Sequence, residues 1–218
     1  MIEEWATNLS DHGFDYDPED PTVLQKSQGF FQFSMTDMQQ RVQGVPKTRV
    51  RLCLSIMNRF REPERSEAVL FGYLCEDGVV IAHYGRDGRW WLQEERDRAW
   101  EALLAFGLPW FSAYGAPTRL IEYFETGPDE PEQAEAVPVA TRLIRRVLGS
   151  PRAEVPRSLP PVFHHYLSLL YSEFGNQSMA RQHATEYMGF LASRPADAWA
   201  KQIAEAQRVL QHLGGASD

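Results

Sequence analysis

The spacing of apolar residues changes twice along the chain, and the two changes divide it into parts. Ile2, Trp5, Ala6 and Leu9 recur at helical spacing ahead of Gly13, a residue suited to a left-handed stop, so a short opening helix is predicted. The period then becomes two. Val50, Leu52, Leu54 and Ile56 alternate with Arg49, Arg51, Cys53 and Ser55, the pattern of a strand with one apolar and one polar face. Strands are expected at 29–35, 48–57, 69–75, 79–84 and 89–93, with Asp77-Gly78 and Asp87-Gly88 as turn signals. No helical stretch separates them, so the strands should form an antiparallel meander.

At Glu94 the helical period returns. Ala99, Trp100, Leu103 and Leu104 make a stripe that Gly107 is expected to end, residues 108–111 read as an aromatic corner, and Leu120, Ile121 and Phe124 mark a further helix. Asp129, Glu130, Glu132 and Glu135 then stand among prolines with no base between them, the composition of a solvated linker. A helix near 138–148 and a proline-rich break precede three helices at 161–174, 177–192 and 196–213, punctuated by Gly175 and Pro195. The expected architecture is α+β: an antiparallel β-meander with helices packed on one face over 1–126, an acidic, proline-rich linker with one helix over 127–160, and a C-terminal α-helical hairpin module over 161–213. In that module Leu167, Tyr171, Gly175, Ala180 and Ala184 have the offsets of a single tetratricopeptide-like hairpin, where small residues let helices approach closely.

The run from the first helix through Gly13-Phe14, the strands, Trp90-Trp91 and Gly107-Leu108-Pro109-Trp110-Phe111 resembles an uncharacterised bacterial family, domain of unknown function 4304, over about residues 1–126. The resemblance rests on aromatic and glycine landmarks and carries over no catalytic residue. It implies a small bacterial α+β domain, among whose relatives are proteins thought to act as immunity or accessory proteins.

Composition narrows the classes. Apolar residues at 43% and charged residues at 24% are those of a folded chain, and a net charge of −8 disfavours nucleic acid and anionic membrane as general partners. No apolar run approaches the roughly 18 residues of a membrane span, and the acidic amphipathic start is unlike a signal peptide, so a cytoplasmic location is expected. Cys53 and Cys75 are too few for a disulfide framework and read as reduced core residues.

The familiar phosphate-loop, dinucleotide, nucleophile-elbow and His-Glu-x-x-His signatures are missing, and neither a cofactor nor a metal is expected. Asp11, Asp15, Asp17, Glu19 and Asp20 read as a polar connector, lacking the glycine and closing Glu of a calcium loop. His164 and His165 point about 100° apart on a helix. His183 on the next helix can approach His164, a two-histidine arrangement without a clear third ligand. The most mixed segment holds His83, Tyr84, Arg86, Asp87, Arg89, Trp90 and Trp91, and Trp, Tyr and Arg are the residues that concentrate binding energy. The expectation is a protein-binding accessory or immunity-type protein, meeting another protein through Arg49, Arg51, His83, Arg86 and Trp90. A hydrolase using His83 as general base with Asp87 is the alternative. A further alternative is nucleic-acid binding along the stripe Arg41, Lys47, Arg49, Arg51, Arg59, Arg61 and Arg65. The oligomeric state is left open.

Overall fold

The computed structural model describes residues 2–17, 19–20, 22–61, 63, 65–81, 89–126 and 159–215, and the expected helix near 138–148 lies outside them. The chain forms two compact units, one of residues 1–59 and 63–116, the other of 60–62 and 117–218.

The first unit opens with α1 (Ile2–Ser10), which buries Ile2, Trp5 and Leu9. Six strands follow in sequence order, β1 (Asp15–Tyr16), β2 (Val23–Gln28), β3 (Phe31–Val42), β4 (Val45–Asn58), β5 (Arg65–Cys75) and β6 (Gly78–Ile81), each antiparallel to the next. A short β7 (Trp91–Leu92) pairs with β4 at Lys47 and Thr48, taking the edge of β4 beyond the point where β5 leaves it at Arg51. The meander is as expected, but β3 runs seven residues past its expected end at Met35, and β4 starts three residues before its expected start at Thr48.

Two tight turns fix the registers. Gly29 has φ 59° at the first central position between β2 and β3, the type II′ requirement, and Gln43 and Gly44, at φ 53° and 82°, make the type I′ turn between β3 and β4. Between β5 and β6 the two-residue loop is Glu76-Asp77, so Gly78 opens β6 and does not sit in the turn.

One face of the sheet carries Phe33, Met35, Leu52, Leu54, Leu70 and Leu74, all buried. Completely burying such a side chain contributes about 1.5–3 kcal/mol relative to leaving it exposed. The cover is a helical run: a single turn at Gln93–Glu95, α2 (Arg96–Ala102), a π-helical segment (Leu103–Gly107) and α3 (Leu108–Tyr114). Gly107 was expected to end this helix and does not. A Cβ there would stand 2.5 Å from Leu103 Cδ1 and 3.4 Å from Leu52 Cδ1, so glycine permits close approach to the sheet. Pro109 cannot donate to the carbonyl four residues back, and the Leu108 amide reaches five back to Leu103, widening the helix where the proline ring needs room. The supposed aromatic corner is therefore helical. Phe111 lies 5.6 Å from the Phe14 ring and 5.3 Å from Phe33, and Trp5 packs 5.5 Å from Trp100.

The second unit contains α4 (Pro117–Thr126), α5 (Pro161–Glu173), α6 (Gln177–Ala192) and α7 (Ala196–Gly214). Gly175, at φ 88°, ends α5, and Asn176 Oδ1 accepts the Met179 amide at 3.2 Å to start α6. Ala180 and Ala184 are buried between the antiparallel α5 and α6, while Tyr187, Leu191 and Ala206 form a core with Trp199 and Ile203 of α7. Phe124 joins α4 to α5 through Phe163 and Tyr166, at 4.9 and 5.3 Å. Cys53 and Cys75 are free thiols, and among the described residues no helix is long and apolar enough to cross a membrane.

Candidate interaction site

The second face of the sheet is polar and aromatic. The registers set Thr36, Arg51 and Tyr73 abreast, Ser34, Cys53 and Phe71 abreast, and Met38 opposite Arg49. Pairing of Trp91 with Thr48 then brings Trp90 beside Arg49. The Arg49 guanidinium lies between two rings, 4.1 Å from the Trp90 centroid and 4.9 Å from that of Tyr73. A planar, weakly hydrated cation is suited to such stacking. Arg51 repeats the contact more loosely, 5.7 Å from Phe71.

Trp90 is held there by its neighbours. Arg89 pairs with Glu76 and, at 2.6 Å, with Glu95, and its guanidinium stands 4.6 Å over the Trp91 ring. Glu95 also accepts the Leu92 amide at 2.9 Å. That backbone bond, with the Arg89 contact behind it, holds the Glu95 carboxyl below its ordinary range. Trp91 is completely buried and donates from Nε1 to the Leu74 carbonyl at 3.4 Å. The chain from Arg89 to Glu95 is thus tied down on both sides of the indole.

Arg49 was expected on a solvated face, but it is only 8% exposed, because the rings of Trp90 and Tyr73 cover it. Arg51 and Trp90 are half-buried on the same face. His83, Arg86 and Asp87 lie outside the described residues, as does the Arg65 side chain. The basic stripe is not one patch. Strand alternation sends Lys47, Arg49 and Arg51 to the polar face and Arg41 to the opposite one. Missed by the sequence reading were Tyr73, which completes the stack, and the exposed Met38 and Val45 at 37% and 46%. The odd-numbered positions of 69–75 carry the signal for Tyr73, sharing a strand face with Phe71.

In the second unit His164 and His183 meet. Their Nδ1 atoms are 2.9 Å apart with ring centroids at 5.1 Å, so the nitrogens point at one another and share one proton. Among the described residues no third His, Cys or carboxylate ligand atom lies within 4.8 Å of both nitrogens. Burial pushes both imidazoles below their ordinary pKa. His164 depresses His183 further, against an upward pull from Glu125 and Glu186, and Glu186 alone opposes the shift at His164. Tyr171 stacks parallel to His183 at 5.8 Å and donates to Glu125, and burial with that carboxylate pushes its hydroxyl up to about 12. His165 is a separate group, its Nε2 3.2 Å from Glu205.

The acidic residues after α1 make turns. Asp17 accepts the Glu19 amide at 2.9 Å, and Asp20 accepts the Thr22 amide at 3.0 Å and its hydroxyl at 2.6 Å. A cleft of about 390 Å³ is lined by His12, Phe14, Lys26, Phe111 and Ser112, and the Lys26 ammonium donates to the His12 carbonyl at 2.9 Å. No family model, curated protein or solved structure matches the chain.

Proposed function

We propose that this chain is a protein-binding accessory protein, of the immunity type that its family resemblance implies, and that its partner presents an acidic patch to the polar face of the sheet. The observation carrying this reading is the Tyr73–Arg49–Trp90 stack. It fixes an indole and a phenol in place before any partner arrives, beside Lys47, Arg51 and the exposed Met38 and Val45. Pre-set aromatic anchors lose little side-chain entropy on binding, and Tyr, Trp, Met and Arg are the residues enriched at interface centres. Nucleic-acid binding is the weaker reading, since it needs Arg41 and Arg49 on one phosphate track. They face opposite ways, and Arg49 is already capped by rings.

The test is affinity capture from the native host with wild type, Trp90→Ala, Lys47→Glu and, as control, Lys201→Glu on exposed α7. A partner retained by wild type and the control but lost by the first two supports the proposal. With the purified partner, Trp90→Ala should weaken binding by about 30-fold, as a hot-spot tryptophan does. The same captured set for all four proteins rules the face out.

A further inference from the structure

At β2 the apolar face of the sheet ends in two polar residues. Leu24, Lys26 and Gln28 stand opposite Met35, Phe33 and Phe31, so all three side chains are on the face that the helical run covers. Leu24 is buried, as that face requires, but Lys26 is half-buried and Gln28 exposed. β1 pairs with β2 only at Leu24 and Gln25, and among the described residues nothing takes that side of β2 further along. The cleft of about 390 Å³ opens here, lined by Lys26 and Gln28 of β2 and by Leu108, Phe111 and Ser112 of α3. Its size is that of a site for a small ligand.

The lining has two parts. The buried rings of Phe14, Phe33 and Phe111 make the apolar one, with Phe111 at 5.6 and 5.3 Å from the other two. Gly115 lines it too, and a Cβ there would stand 2.6 Å from Phe33 Cζ, so glycine keeps that wall to bare backbone. The polar part is Lys26 and Gln28. The Lys26 ammonium, 5.9 Å from the Phe14 centroid, gives one proton to the His12 carbonyl, and among the described residues no carboxylate pairs with it. Two of its three protons are left. The Gln28 side-chain amide has no partner among the described residues. Neither Asp nor Glu lines the cleft, although the chain carries a net charge of −8.

We propose that this cleft binds a small organic carboxylate with an apolar body about one ring in size, the carboxylate on the Lys26 ammonium and the Gln28 amide and the body toward Phe14 and Phe111. Lys26 and Gln28 are two positions apart on one strand face, about 6.6 Å along the strand, so both side chains reach one carboxylate. One ammonium and one neutral amide balance a single negative charge, which suits a carboxylate and leaves a phosphate dianion short of partners. A lysine turned inward on an edge strand also discourages pairing with another chain. That role needs no ligand and predicts that nothing binds.

The cleft is on the helix-covered face and not on the face of Trp90, so this proposal and the proposed function fail separately. The isotope-labelled full chain is titrated with benzoate to about 20 mM at neutral pH and followed by amide NMR. Saturable shifts centred on Gly13, Lys26 and Gly115 are expected, with Kd about 1 mM or below. Benzyl alcohol, which keeps the ring without the charge, and inorganic phosphate, which keeps a charge without the ring, should each bind at least about tenfold more weakly. Lys26→Met should weaken benzoate binding by about tenfold or more. Ser112→Trp, on the exposed side of α3, should fill the cleft and abolish binding, with circular dichroism confirming the fold of both variants. Lys201→Met, which removes a lysine from exposed α7, should titrate as wild type does. Absence of saturable shifts with benzoate overturns the inference. Unchanged benzoate affinity in either folded cleft variant, or phosphate bound as tightly as benzoate, overturns it equally.

Discussion

Acidification should loosen the helical hairpin of the second unit, and the His164–His183 contact sets the size of the effect. Both imidazoles are held below their ordinary pKa, chiefly by burial. An unfolded chain takes up protons near pH 6.5 while the folded pair resists. The sign follows: the stability from the neutral pair is complete above about pH 6.5 and falls as pH drops toward the folded pKa, below which the loss stops. Each histidine that is protonated only when unfolded costs at most about 1.4 kcal/mol per pH unit, so the pair sets a ceiling of about 2.7 kcal/mol per unit. The 2.9 Å contact accommodates one shared proton, so the two rings titrate as a unit. Glu125 and Glu186 face the pair and soften the effect without reversing it. Urea unfolding followed by far-ultraviolet circular dichroism, in steps from pH 7.5 to 5.0, should give a falling midpoint. His164→Gln/His183→Gln should flatten that fall, and the difference between the two slopes isolates the contribution of the pair. An unchanged slope in the double variant, or wild-type stability rising on acidification through this window, would refute the reasoning.

Three further outcomes are expected. Gly72→Ala sets a Cβ 2.4 Å from Val79 Cγ1 and 3.3 Å from Trp110, and should cost about 1–3 kcal/mol by calorimetry; Gly72→Ala/Val79→Ala should recover part of the loss. Asn176→Ala removes the cap of α6 and should lower stability by about 1 kcal/mol, read as a shift in the urea midpoint. Burial pushes the Cys53 thiol above its ordinary pKa, so mass spectrometry should find its alkylation at pH 8 far slower in the native protein than in urea.

The helices of the second unit were legible almost to the residue, because Gly175 and Pro195 stop the chain where the apolar stripes stop. The sheet was legible only where a face is buried. Val50 to Ile56 announce β4 by alternation, but from Thr36 to Pro46 the hairpin extends past the core, and neither face has reason to alternate. There the evidence was in the turn, Gln43-Gly44 between Val42 and Val45. β2 was missed for the same reason, since in Val23–Gln28 only Leu24 is buried. Gly107 reads as a stop and residues 108–111 as a corner in the sequence, although a close helix–sheet approach at Gly107 and a π segment ahead of Pro109 keep the run helical. At the candidate site Arg49 and Trp90 were each nominated, but their contact depends on Thr48 pairing with Trp91, a non-local event with no local signature. The approach of His164 to His183 was readable because a short link between antiparallel helices leaves little choice of partner.

The π segment has a consequence for how this helix tolerates change. One residue more than an α-turn needs is stored between Leu103 and Leu108, advancing everything after it by about 100° around the axis. That offset aims Trp110, Phe111 and Tyr114 inward. Shortening the segment by a single residue would leave the composition of α3 untouched and rotate its aromatic set toward water. The length of this segment therefore carries information of its own, and a loss of one position here would do more damage than many substitutions on either side.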